Sequence, residues 1–162
     1  MANADCEIGR ATRDDIAGIV ALQELNLREN GGTLSVRFSR EWFEGALSDM
    51  PVLVARRAGQ IVGYLISSSK AAQSQASIIQ AMLRAYPGAD DAYLYGPICI
   101  AESQRGKDLL AALHTLLPGR EGITFIRKDN VRSMRAHAKI GMREVAEFSH
   151  DGAAIVVVVS SG

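Results

Sequence analysis

The sequence predicts an α/β protein built as a mixed sheet covered by helices. Three observations predict it. Strand and helix patterns alternate through the middle of the chain, hairpin patterns stand towards both ends, and the valine-rich run at 154–159 is unbroken, as suits an interior strand.

Taken in order, "CEIGRA" reads as a short strand, after which Thr12 caps a helix carrying Ile16, Ile19, Val20 and Leu22, with Asp15 favouring the first turn. Ser39 caps a second, shorter helix with Trp42, Phe43 and Leu47. Pro51 opens "PVLVARRAGQIVGYLIS", two β-rich runs around "RAGQ", hence a hairpin. "SQASIIQAMLRAYPG" is a third helix stopped by Pro87 and Gly88, and "AYLYGPICIA" a strand with a bulge or break at Gly96-Pro97. Leu109, Leu110, Leu113, Leu116 and Leu117 mark an amphipathic helix from about 107 to 117. "GITFIR" is a strand, "NVRSMRAHAKIG" a helix stopped at Gly141, and "MREVAEFSH" and "AAIVVVVSS" two strands joined through Asp151-Gly152.

The totals bound the function. At 162 residues and 48% hydrophobic content the chain makes one domain, 1–162. Eighteen basic and eighteen acidic side chains cancel, so no global field draws it to nucleic acid or to an anionic membrane. The opening "MANADCEIGR" lacks a secretory core and the longest aliphatic run is too short to span a bilayer, which reads as a cytoplasmic protein. Cys6 and Cys99 show no metal spacing to each other or to His114, His137 and His150, so no metal is expected, and Cys99 reads as a buried, inert thiol.

Two places carry chemistry. In "ICIAESQRGKDLL" a strand runs through a turn into a helix start, a layout that gathers unpaired N–H groups and the positive end of the helix dipole on one point; Arg105 and Lys107 add charge and Gly106 permits a tight turn. In "DNVRSMRAHAKIGM", Asn130, Ser133 and His137 make a polar stripe beside an apolar one of Val131, Met134 and Ala138. The alternatives there are a helix cap at Asn130 and a half-exposed surface histidine. Arg127, Lys128, Arg132, Arg135, Lys139 and Arg143 crowd the segment, either to receive a phosphate or as a solvated face.

The order of strand, "QRGKDLLAAL" helix, strand, "NVRSMRAHAKIGM" helix and closing hairpin resembles the GNAT superfamily of acyl-CoA-dependent N-acetyltransferases, from "EIGRATRDDIAGIVAL" through the last strand. The resemblance implies a mostly antiparallel sheet with splayed central strands, acetyl-CoA or another acyl-CoA as cosubstrate, and an amine acceptor in a small molecule or protein. It implies that Ile98, Cys99, Ile100 and Ala101 offer a backbone edge to the pantetheine arm. Amides of Arg105, Gly106, Lys107, Asp108, Leu109 and Leu110 would hold the pyrophosphate, and Asn130 and Ser133 would contact the cofactor. His137 stands where many relatives place a tyrosine that protonates the departing thiolate, which histidine can also do near neutral pH. Asp91, Tyr95 and Glu102 are candidate bases beside the strand, and a water relay would need none of them. Glu24, Asn26, Glu29, Trp42 and Tyr86 fall on the acceptor side without a defined constellation, and monomer and homodimer both stay open.

Two residues depart from the family's pattern. Asp108 stands where glycine is usual, and Leu110 where glycine or alanine is. A carboxylate within a few ångströms of a diphosphate is repulsive by about 1–4 kcal/mol, and Asp is itself a favoured N-cap whose side chain can occupy the amides. Weakened binding is expected; the alternative is a non-catalytic GNAT-like binding or regulatory domain whose slot is self-capped by Asp108.

Overall fold

The computed structural model describes residues 6–34, 36–105 and 108–161. Seven strands form one sheet: β1 (Cys6–Arg10), β2 (Val52–Arg57), β3 (Gln60–Ser68), β4 (Tyr93–Ile100), β5 (Glu121–Arg127), β6 (Arg143–His150) and β7 (Ala153–Ser161), in the order β1-β2-β3-β4-β5-β7-β6. The helices are α1 (Ile16–Leu25), α2 (Arg40–Ala46), α3 (Ser77–Ala85), α4 (Leu109–His114) and α5 (Val131–Lys139). The chain divides into two compact units, one of residues up to Ser67 with Gly96–Leu117 and the other of Ser68–Tyr95 with the residues from Pro118 on. Among the described residues no helix is long and apolar enough to cross a membrane.

In the first unit β1, β2 and β3 are antiparallel neighbours, Ile8 opposite Ala55 and Val54 opposite Tyr64. The hairpin turns at Ala58 and Gly59, both at positive φ, which a two-residue loop between right-twisted strands requires. Alternation along β2 sends Val52 and Val54 into a core with Ile16, Ile19, Leu22, Phe43, Tyr64 and Ile66. Leu53 and Ala55, on the opposite pleat, are buried as well. Both faces are covered, which is why this stretch reads as a continuous apolar run.

The expected caps form. The Thr12 N–H donates to Asp15 Oδ2 at 2.8 Å in a reciprocal capping box, and the Ser39 hydroxyl accepts from Trp42 N at 3.0 Å. Asp15 also ties α1 to β2, accepting from Arg56 Nε at 3.0 Å and Nη2 at 2.5 Å. Buried Gln23 grips the backbone of Phe38 from both sides, donating to its carbonyl at 2.9 Å and accepting from its N–H at 2.8 Å, which sets the extended segment before α2.

In the second unit β7 lies between β5 and β6, antiparallel to each, as the valine run predicts. Val157 and Val159 pack with Ile79 and Met82 of α3, Leu94 and Ile123. The start of β4 pairs in parallel with β5 through Tyr93–Gly122 and Leu94–Ile123. Gly122 leaves room for the Tyr93 ring, since a Cβ there would stand 2.7 Å from it. Glu121 accepts from the Tyr86 hydroxyl and the Ala89 N–H, both at 2.8 Å, and so seats the segment that stops α3.

Two expectations change. The leucine-rich helix is shorter than the spacing suggests: α4 ends at His114, tight turns carry the chain to Leu117, and Leu116 is 43% exposed. On α5 the inward face is also redrawn, because Val131 and Ala138 are exposed while His137 is buried.

The Arg56 hydrogen bonds hold the Asp15 carboxyl below its ordinary value, against the opposing effect of burial. A carboxyl depressed in the folded state contributes stability above its unfolded value, and loses it as pH falls through the folded one. Replacing Arg56 with Met should therefore cost about 1.5–3 kcal/mol of unfolding free energy at neutral pH. In urea melts at stepped pH, the gap to the parent protein should narrow below about pH 4; a gap that stays constant to pH 2 would contradict the pairing.

Candidate functional site

In the first unit, the end of β4 has one side engaged and one side turned away. The Ala101 N–H donates to Val62 O at 2.8 Å, and the Cys99 carbonyl faces Gly63, whose absent Cβ would stand 3.5 Å from it. Successive residues of an extended strand turn their polar groups to opposite edges. Ile98 and Ile100 therefore present their N–H and C=O away from β3, and they, more than Cys99 and Ala101, can offer a backbone edge to an extended arm. The Cys99 side chain is in the core, where burial pushes its thiol up to about 12, so it is inert as expected.

After β4 the chain makes a 3₁₀ turn over Glu102–Gln104, with Gln104 N donating to Ala101 O at 2.8 Å and Arg105 N to Glu102 O at 3.2 Å. The Arg105 amide is thus engaged in the turn, and its guanidinium donates to Asn26 Oδ1 at 2.9 Å. The expected roles of Gly106 and Lys107 lie outside the described residues.

Asp108 follows at φ 58° and ψ 22°, in the left-handed region, and is exposed. Its side chain makes no hydrogen bond to the helix-start amides, so the self-capped arrangement does not form. The first bond of the helix runs from Ala112 N to Asp108 O at 3.1 Å; the N–H groups of Leu109, Leu110 and Ala111 come before the helix supplies acceptors of its own. Leu109 and Leu113 are buried and anchor α4, and Leu110 is half-buried. An anion and an extended amide-bearing arm both fit donors arranged in this way.

In the second unit, Asn130 caps α5, its Oδ1 accepting from Ser133 N at 3.2 Å. His137 is 3% exposed and meets the Tyr95 ring edge-on, with centroids 5.5 Å apart. Its Nδ1 lies 2.7 Å from Ser133 O and 3.3 Å from Ser133 Oγ. A carbonyl can only accept, so Nδ1 carries the hydrogen. In the neutral ring Nε2 then holds a lone pair, and His137 donates a proton from Nε2 only as the imidazolium. The cap expected as an alternative at Asn130 is present, but a half-exposed surface histidine is not what forms.

Of the candidate bases, Tyr95 is buried and its phenol is raised by burial, while Asp91 and Glu102 are exposed. The basic cluster is partly neutralised, Arg127 pairing with Asp129 at 3.0 Å and Lys128 with Glu147 at 2.5 Å. Of the residues expected towards the acceptor, Glu24 and Glu29 are bound by Arg37, and Trp42 packs on Phe38 with centroids 4.0 Å apart. Among the described residues no three His, Cys, Asp or Glu side chains gather as a metal site requires.

No protein-family model matches the sequence, and no curated protein matches it. Solved structures do. An N-acetyltransferase of Staphylococcus aureus Mu50 matches with a TM-score of 0.71 over 98% of this chain and 99% of its own, at 16% identity. An acetyltransferase of the GNAT family from Streptococcus pneumoniae matches with a TM-score of 0.68 over 97% and 99%, at 15% identity. The fold is that of the GNAT acetyltransferases. The yncA protein of Salmonella typhimurium, whose structure holds its cofactor acetyl-CoA, has a TM-score of 0.68 over 98% and 94%, at 16% identity.

Within this GNAT fold the usual glycine at the position of Asp108 has a local cause. A residue at φ 58° is one that glycine adopts without strain, and aspartate is among the few L-residues that tolerate it. Asp108→Gly should raise unfolding free energy by about 0.5–1 kcal/mol, the left-handed penalty removed less the extra chain entropy of glycine. Asp108→Ala, which lacks a side chain able to bond locally, should lower it. Thermal melts of the two variants give the comparison, and the reverse order would contradict the left-handed assignment.

Proposed function

We propose that the chain is an acyl-CoA-dependent N-acyltransferase that moves an acetyl group from acetyl-CoA to a primary amine of a small molecule or a protein. The observation that carries this reading is the segment after β4. In a fold shared along its whole length with acetyltransferases, it leads into a helix start whose first amides precede the helix's own acceptors and take no capping bond from the Asp108 side chain.

In this reading the N–H groups of Asp108, Leu109 and Leu110 hold the diphosphate, and the outward backbone groups of Ile98 and Ile100 pair with the pantetheine arm. Asn130 and Ser133 are proposed cofactor contacts on the resemblance to the family alone. The unprotonated amine attacks the thioester carbonyl; a C–N bond forms, the C–S bond breaks, and the sulfur leaves with the electron pair. The proton that the thiolate takes up is assigned to His137, on the resemblance to the family. Burial raises the Tyr95 phenol and so disfavours it as the base at neutral pH, and the proton of the attacking nitrogen is assigned to water.

Acetyl-CoA at 100 times its dissociation constant should stabilise the folded protein by about 2.7 kcal/mol, visible as a raised melting temperature. Absence of any shift at millimolar concentration would favour a non-catalytic domain. Asp108→Gly should tighten acetyl-CoA binding by removing a like charge, and unchanged or looser binding would show that the carboxylate does not oppose the ligand. In a free-thiol release assay His137→Phe should lower kcat by about 100-fold or more, whereas His137→Tyr, which keeps a donor, should stay within about tenfold. Equal rates in the two variants would remove His137 from the chemistry.

A further inference from the structure

Arg105 stands beside the proposed diphosphate segment, yet its guanidinium is directed at a neutral amide. Asn26, at the C-terminal end of α1, is 8% exposed, and its polar groups are engaged in three directions. Its Nδ2 donates to Leu22 O at 2.9 Å, its Oδ1 accepts from Arg105 Nη2 at 2.9 Å, and its backbone carbonyl accepts from Leu34 N at 3.0 Å. The last contact closes a tight turn over 27–34 in which Gly32 crosses so near Asn26 that a Cβ would lie 2.0 Å from its carbonyl oxygen. The Arg105 backbone is held as well, through Glu102 O. A cation near the C-terminal end of a helix is also favoured by the helix dipole.

We propose that Asn26 is a positioning residue for the cofactor segment. It fixes Arg105, and Arg105 fixes where the chain enters Asp108 and the amides that follow. Arg105 then serves as a brace from α1 and not as a phosphate contact, and the same asparagine anchors the turn over 27–34. The inference rests on the proposed use of acyl-CoA. It differs from what the charge of Arg105 alone suggests, and that difference can be measured.

The experiment is calorimetric titration of CoA into the parent protein, Asn26→Ala, Arg105→Met, the double variant and Asn26→Asp, each at two salt concentrations, with melting curves to verify folding. A brace predicts that each single substitution weakens CoA binding by about tenfold, that the double variant is no weaker than the weaker single, and that Asn26→Asp, which still accepts from Arg105, stays within about twofold of the parent. The dependence of binding on salt should be the same in Arg105→Met as in the parent, because no phosphate contact has been removed. Additive losses, with Arg105→Met far weaker than Asn26→Ala and less sensitive to salt, would overturn the proposal and make Arg105 a direct ligand. Should Asn26→Ala fail to fold, the Arg105→Met salt dependence and the Asn26→Asp affinity decide alone. Failure of the parent to bind CoA would overturn the acyltransferase reading and the inference with it; parent binding that Asn26→Ala leaves unchanged would overturn the inference only.

Discussion

At φ 58° and ψ 22° the backbone of Asp108 turns the chain from the segment after β4 into the first turn of α4, and so decides where the N–H groups of Leu109, Leu110 and Ala111 point. A helix start supplies donors whether or not anything binds them. What makes them usable is that the side chain best placed to cap them, that of Asp108, is exposed and makes no capping bond. The left-handed turn explains both facts: it carries the carboxylate to the outside while the amides keep their direction.

The rest of the first unit keeps that turn in place. Leu109 and Leu113 are buried on α4, and Leu109 reaches Gly63 of β3, where a Cβ would stand 3.2 Å from its Cδ2. The opposite face of the same strands is closed by α1 and α2 around Tyr64 and Cys99. With both faces covered, β2 and β3 have little freedom to shift, and the 3₁₀ turn that follows β4 is held by main-chain bonds at Ala101 and Glu102. The cores are apolar, and polar side chains at their margins are tied to named partners, as Gln23 is to Phe38 and Asp15 to Arg56.

The fold was largely legible because its signals are local. Thr12 with Asp15, Ser39 before Trp42, Ala58-Gly59 between two β-rich runs and the valine stretch each state their structure within a few residues. The site was legible in part. A turn before a helix start could be read, and so could the missing glycine at 108. That the position is left-handed could not, although aspartate's tolerance of that region was the clue. The bond from Arg105 to Asn26 joins residues 79 apart in sequence, and no periodicity announces such a contact. The burial of His137 was not legible for another reason: a polar residue on an amphipathic helix is normally assigned outward, and here an aromatic neighbour, Tyr95, and the Ser133 carbonyl make its burial tolerable.

The claim at the centre is that main-chain donors at the head of α4 hold a diphosphate. It is tested most directly by amide-resolved NMR of the nitrogen-labelled protein titrated with CoA and, separately, with pantetheine, which has no diphosphate. The account predicts that CoA moves the Asp108, Leu109 and Leu110 amide resonances strongly and that pantetheine at the same concentration leaves them in place. Equal shifts with both ligands, or none at these three amides while CoA binds elsewhere, would contradict it.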